Sequence, residues 1–164
     1  MSMSEKCFFC QLNLENSREK ITQSESFFVV LDAMPVTPGH ALIIPKNHVI
    51  SFLDLLENQW AELKELTQET VDWLHAGELH RYYLTLLQEN VSNPVALKFI
   101  SQALADLSRF GTIQGYNLGL NDGKAAGMTI NHLHFHLIPR YLGDMIDPTG
   151  GVRHVIPAKG NYHK

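Results

Sequence analysis

The string His132-Leu133-His134-Phe135-His136-Leu137-Ile138 constrains the fold of this chain more than any other feature. Successive side chains of a β-strand point to opposite faces. Extended backbone here therefore puts the three histidines on one face and Leu133, Phe135 and Leu137 on the other. Such a segment calls for a sheet with one dry side and one side given to chemistry. Three imidazoles on one face are costly to bury unless each finds partners. A single strand histidine is usually structural; three at this spacing, directly after a Gly-rich turn, point to a site.

The rest of the chain supplies the sheet and its cover. From Phe27 the run FFVVLD, a turn through Pro35 and Pro38-Gly39, and then HALIIP read as two short apolar strands. Trp60, Leu63, Leu66 and Trp73-Leu74 recur at helical spacing, with Asn58 as the expected cap and Gly77 as the stop. The stretch Glu78 to Gln88 either extends that helix or forms another. Asn93-Pro94 has the form of an N-cap followed by proline at the first helical position, and Leu97, Ile100, Leu104 and Leu107 supply a buried stripe up to Gly111. A strand is expected at Gln114 to Leu120, a turn from Asn121 to Gly127, and a strand from Thr129 to Ile138. The tail from Tyr141 to Lys164, rich in Gly and Pro, reads as ordered loop with at most one short strand. Strands flanking a helical middle argue for an α+β domain on an antiparallel sheet.

With 164 residues, 45% of them hydrophobic, the chain is sized for one core, so a single domain over 1–164 is expected, with a catalytic core at about 5–140 and a tail at 141–164. A net charge of -4 offers no broad basic surface for a nucleic-acid backbone, which favours a nucleotide-sized ligand over a polymer. No run approaches the length needed to span a bilayer, and MSMSEKCFFC lacks the basic-then-apolar layout of a signal peptide. Neither a membrane nor a nucleic-acid partner is expected, and the expected location is the cytoplasm.

Neutral imidazole is both a good zinc ligand and a good nucleophile, so two chemical readings of the cluster remain and do not exclude each other. An imidazole attacks phosphorus when one ring nitrogen is unprotonated and the other donates to a fixed acceptor. The next histidine on the same face lies about 7 Å along the strand, within reach of the oxygens of the same phosphate. No G-x-x-x-x-G-K-[ST] loop and no acidic cluster for Mg²⁺ is present, so no catalytic metal is expected.

NHLHFHLIPR resembles the histidine-triad (HIT) motif, His-φ-His-φ-His-φ-φ with φ apolar. LDAMPVTPGHALIIPKNHV, from Leu31 to Val49, is similar to the segment that forms that family's nucleoside pocket, and NDGKAAGMT, from Asn121 to Thr129, to its phosphate-binding turn. The tail GDMIDPTGGVRHVIP looks like that of bacterial members that hydrolyse diadenosine tetraphosphate. The resemblance implies a HIT-like half-barrel with helices packed on one face of the sheet, assembled as a homodimer. It further implies cleavage of nucleoside or dinucleoside polyphosphates at the α-phosphate through a covalent nucleotidyl-histidine. His134 would be the nucleophile and His136 would bind the α-phosphate. Asn121 and Thr129 would hold its oxygens, and Asp32 would hydrogen-bond the ribose; without the resemblance, Asp32 reads as an Asx-turn residue before Pro35.

Cys7 and Cys10 alone, in C-x-x-C spacing, leave a disulfide, a redox pair, half of a metal site or a free thiol pair open. The resemblance implies zinc completed by His48 and His132, a closed Cys2His2 set and hence structural. His40 reads as a structural turn residue, His75 and His80 as solvated helix residues, and His154 and His163 as tail residues that spacing cannot place. Lys46 and Arg140 are candidate phosphate contacts.

Two departures from the family pattern stand out. Met128 occupies a position where many members carry glutamine toward the leaving group, and the segment from about Glu78 to Pro94 is longer than usual. The leading expectation is a nucleotide hydrolase or transferase. The alternatives are a nucleoside phosphoramidase, or a zinc-stabilised nucleotide-binding protein with little turnover.

Overall fold

The computed structural model describes residues 7–15 and 20–161. Five strands, β1 (Thr22–Gln23), β2 (Phe27–Leu31), β3 (Ala41–Pro45), β4 (Gly115–Leu120) and β5 (Phe135–Arg140), form one antiparallel sheet in the order β1-β2-β3-β5-β4. The helices are α1 (Phe8–Glu15), α2 (Glu57–His75), α3 (Leu79–Glu89), α4 (Pro94–Arg109) and the short α5 (Pro157–Gly160). Both β2 and β3 are buried along their whole length, which explains why they read as unbroken apolar runs and not as alternating ones.

Their registers divide the sheet into two faces. Phe27, Val29, Leu31, Ala41 and Ile43 join Phe135 and Leu137 in the main core, covered by Leu63, Leu66 and Leu74 of α2 and by residues of α3 and α4. This is the expected layer of helices. On the other face Phe28, Val30, Leu42 and Ile44 pack against Phe9 and Leu12 of α1, a helix the sequence reading did not delimit. Each face thus removes its own apolar surface from water, the main term holding the layers together.

The strand expected at Thr129 to Ile138 begins only at Phe135 and runs on to Arg140. Its ladder with β3 stops at the Ile43–Phe135 pair, two residues short of Pro45. Proline cannot donate to a ladder, and the Pro45 carbonyl accepts from the His132 ring instead. Leu133 is held separately, its N–H donating to the Val49 carbonyl at 2.6 Å. His132 and His134 therefore sit on the connection ahead of the strand, while Leu133, Phe135 and Leu137 still enter the main core together.

The helical middle follows its signals closely. Asn93 accepts from the Ala96 N–H at 3.1 Å, capping α4 with Pro94 behind it. Asn58 is not the cap of α2. Leu56 takes the cap position two residues earlier, and Gln59 reaches back to the Leu56 N–H at 2.9 Å. The stretch after Gly77 is a separate helix, α3, with Leu79, Tyr82, Tyr83 and Leu86 buried. In the tail a 3-10 turn, Gly151–Val155, precedes α5. No described helix is long and apolar enough to cross a membrane.

Candidate active site and metal centre

Two imidazole clusters meet on the sheet face that carries α1. The first joins Cys7 and Cys10, at the start of α1, to His48 after β3 and His132 before β5. Cys7 Sγ lies 3.3 Å from His132 Nδ1, Cys10 Sγ 3.5 Å from the same nitrogen, and Cys10 Sγ 3.4 Å from His48 Nδ1. In a tetrahedral zinc site with ordinary bond lengths the sulfur-to-nitrogen edge is about 3.5 Å. The His132 Nε2–H donates to the Pro45 carbonyl at 2.8 Å, which leaves the Nδ1 lone pair facing the sulfurs. Burial and the neighbouring Cys7 push the Cys10 thiol up to about 11, and burial pulls His132 down to about 4. Both shifts arise from the cost of burying charge, and a bound cation would reverse the first. By donor type and spacing these four residues can hold a metal ion.

The second cluster contains His134, His136, His40 and Asp32. The His134 Nδ1–H donates to the His132 backbone carbonyl at 2.8 Å, so the Nε2 lone pair is the free one. The His134 ring lies between those of Phe9 and His136, at centroid distances of 5.1 and 5.0 Å. His40 Nε2 is 3.0 Å from His136 Nδ1. The Val36 amide, which can only donate, is 3.4 Å from His40 Nδ1, making that nitrogen the acceptor and placing the His40 proton on Nε2. His136 Nδ1 then accepts, and the His136 proton sits on Nε2, a buried atom with no hydrogen-bond partner among the described residues. Unpaired buried donors are rare in folded proteins and ask for a ligand.

Burial lowers the His40 pKa to about 4, against the upward pull of the Asp32 carboxylate 3.5 Å away. Burial likewise lowers His136, as does repulsion from His134. Both rings are neutral at pH 7. Asp32 lies on the Nδ1 edge of His40 and His136 on its Nε2 edge, so the three form a chain of contacts more readily than a shell around one ion.

Room for a ligand exists beside them. Gly119 pairs with His136 across β4 and β5, and a Cβ at Gly119 would meet nothing within 4 Å. The expected phosphate turn follows β4: Asn121 stands directly after the strand, a 3-10 turn covers Lys124–Ala126, and Gly127 adopts a φ of 91°. Asp122 pins this turn to the loop after β3, accepting from Ser51 Oγ at 2.7 Å and from the Phe52 N–H at 3.3 Å. Thr129 is exposed on the connection leading to His132. Asp32 is partly an Asx-turn residue as well, since its Oδ1 accepts from the Met34 N–H at 2.8 Å.

His40 is the residue that the sequence reading placed outside the site. Its signal was parity: in the register of β3 with β5, His40 falls in the row of Leu42 and Ile44, the row facing His136. Two candidate cations are engaged elsewhere. Lys46 donates to the Ser24 carbonyl, and Arg140 donates to Asp144 and Asn117. His75 is exposed and bonded to Tyr116, His80 is exposed, and His154 bonds the Thr149 carbonyl within the tail. His163 lies outside the described residues.

The chain is similar to known proteins in sequence and in fold. The protein hit of Bacillus subtilis is 30% identical over 142 residues, covering 86% of this chain and 75% of that protein. The AP-4-A phosphorylase of Mycobacterium tuberculosis is 29% identical over 140 residues, 84% of this chain but only 54% of the longer relative. A Zn-bound histidine triad family protein from Mycobacterium smegmatis superposes with a TM-score of 0.56 at 27% identity, over 88% of this chain and 81% of that one. The HIT domain profile matches residues 13–143, from α1 to beyond β5, and by the extent of that match this chain belongs to the HIT-domain family.

Proposed function

We propose that this protein cleaves nucleoside or dinucleoside polyphosphates at the α-phosphate, with His134 Nε2 as the nucleophile. The observation that carries the reading is the pairing of a free lone pair on His134 with an unpartnered N–H on His136, on adjacent rings of one cluster. One group attacks phosphorus; the other donates to a non-bridging oxygen that gains charge in the transition state. The His134 nitrogen forms a P–N bond to the α-phosphorus. The P–O bond to the departing phosphate breaks, and its electron pair stays on the leaving oxygen. Water then attacks the same phosphorus and loses one proton to solvent, the P–N bond breaks with its electron pair returning to Nε2, and a nucleoside monophosphate leaves with neutral His134 restored. Asp32 bonds the ribose hydroxyls, and Asn121 and Thr129 hold phosphate oxygens, roles taken from the family motif.

Zinc held by Cys7, Cys10, His48 and His132 would have all four positions filled by protein, supplying a structural tether and no activated water. His132 then serves both clusters, because its backbone carbonyl orients the His134 ring.

A homodimer also belongs to this reading. β4 is an edge strand whose sequence, GYNLGL, carries neither charge nor proline to block pairing. Exposed Leu118 and Trp60 line a groove of about 890 Å³ beside α2, a surface suited to a second copy. A single chain in solution for both the wild type and Leu118→Lys would remove the dimer.

Met128 keeps the leaving group open, so a P–N bond in a nucleoside phosphoramidate is the second candidate target. The deciding experiment is a turnover screen over dinucleoside polyphosphates, nucleoside polyphosphates and nucleoside phosphoramidates, with trapping of a nucleotide on His134. Release of a nucleoside monophosphate with a trapped adduct is expected. A purified, metal-loaded protein that turns over none of them would remove the enzymatic reading.

A further inference from the structure

The turn before His40 is held by contacts that nothing in the proposed chemistry requires. The Pro38 carbonyl accepts from the Tyr141 hydroxyl at 2.9 Å, and the Gly39 N–H donates to the Tyr83 hydroxyl at 2.6 Å. These two groups belong to one peptide unit, so two buried tyrosines hold both polar ends of a single peptide plane. Tyr83 comes from α3, and Tyr141 follows β5. Gly39 has a φ of 84°, and a Cβ there would lie 2.8 Å from Leu74 Cδ2, so the peptide is pressed against the helical layer as well. The next residue is His40, whose Nε2 sits 3.0 Å from His136 Nδ1.

We infer that Tyr83 and Tyr141 are positioning residues for the His40–His136 pair: by fixing the Pro38–Gly39 peptide plane they fix the His40 ring, and through it keep the His136 proton on the nitrogen that faces the substrate. The inference rests on the reading of His136 as a phosphate donor. The physical ground is that a buried peptide bonded at both ends cannot rotate without leaving two polar groups unpaired. A small displacement of His40 would lengthen its bond to His136 and free the His136 proton to exchange between its two nitrogens. This assigns to α3 a task beyond covering the sheet.

The test uses the full metal-loaded protein and the variants Tyr83→Phe, Tyr141→Phe and the double variant, with Leu66→Ala, about two turns along α2 from Leu74, as a control for lost stability. Nitrogen NMR of the imidazole rings without substrate reports which nitrogen carries each proton. Wild type is expected to show one protonated nitrogen on His40 and one on His136. Each Tyr→Phe variant is expected to move both sets of signals toward an average of the two forms. kcat should fall about tenfold while KM stays within about twofold, because loss of orientation weakens the transition state more than ground-state binding. The double variant should lose less than the product of the single losses, since both hydroxyls hold the same peptide. Leu66→Ala is expected to lower Tm and leave the ring signals in place. Ring signals unchanged in both tyrosine variants would overturn the inference, whatever their Tm. If wild type turns over no nucleotide, the proposed function fails, and the ring signals still decide this inference.

Discussion

The candidate metal centre and the His40–His136 pair both use histidine, by opposite means. At the metal centre the donors come from three separated places, Cys7 and Cys10, His48 and His132, and an ion would bind them together. At the histidine pair, His40 directly precedes β3 and His136 stands opposite Leu42 in β5, so backbone register brings the two rings together. The first cluster concentrates donors that repel or desolvate one another until a cation arrives. The second needs no cation: the Val36 amide and the His132 carbonyl already assign its ring protons, and the His136 Nε2–H is left for a ligand. One cluster should therefore matter chiefly to folding and the other chiefly to rate.

The sharpest break of that contrast would come from the nucleophile. His134→Ala is expected to lower kcat by more than about a thousandfold while nucleotide affinity, measured calorimetrically, and Tm both persist. A variant retaining a tenth of the wild-type rate would take His134 out of that role.

Cys10→Ser tests the other side. Metal analysis is expected to find about one zinc per wild-type chain and none in the variant, with Tm lower by about 10 °C, as a loss of about 3 kcal/mol gives in a chain of this size. Metal-free protein of normal Tm would remove the assignment of Cys7, Cys10, His48 and His132.

The pH dependence of stability sharpens the comparison further. Burial takes His40 from the ordinary 6.5 to about 4, so between those values the unfolded chain binds a proton that the folded one refuses. The contribution of neutral His40 is whole above pH 6.5 and is lost as pH falls toward 4, amounting to about 3 kcal/mol over the window. Urea unfolding of wild type and His40→Gln at several pH values should show a steeper acid loss in the wild type. Taking the difference between the two proteins cancels the acid sensitivity of the metal centre. Parallel curves would mean that His40 is not held neutral by the fold.

Met128→Gln has the smallest expected effect. If this position faces the departing group, glutamine there should raise the rate by up to about tenfold for poor leaving groups and hardly at all for good ones. A leaving-group series with one nucleoside monophosphate held constant measures it. Equal effects along the series would separate the Asn121 to Thr129 turn from the chemistry.

The expectations that survived contact with the structure are those set by local rules. Asn93-Pro94 starts α4 because a side-chain acceptor followed by proline suits the first turn of any helix. FFVVL and ALIIP became central strands because β-branched runs of that length fit a sheet buried on both faces. Where a rule pointed to the wrong residue, a tertiary partner had prevailed: Gln59 in place of Asn58 at α2, and the Pro45 carbonyl bonded to His132 in place of a longer β5.

By itself the sequence determined that Leu133, Phe135 and Leu137 would enter a core and that the histidines between them would point away from it, because alternation is a property of extended backbone. It also supplied the family motif and, through it, the four metal-binding candidates that the fold then brought within ligand distance. Only the tertiary structure decided that His40 belongs with His136 and that Tyr83 and Tyr141 hold the peptide in front of it. Those contacts join residues 44 to 103 positions apart, and their pairing depends on strand register and helix docking. No spacing within a single element encodes either.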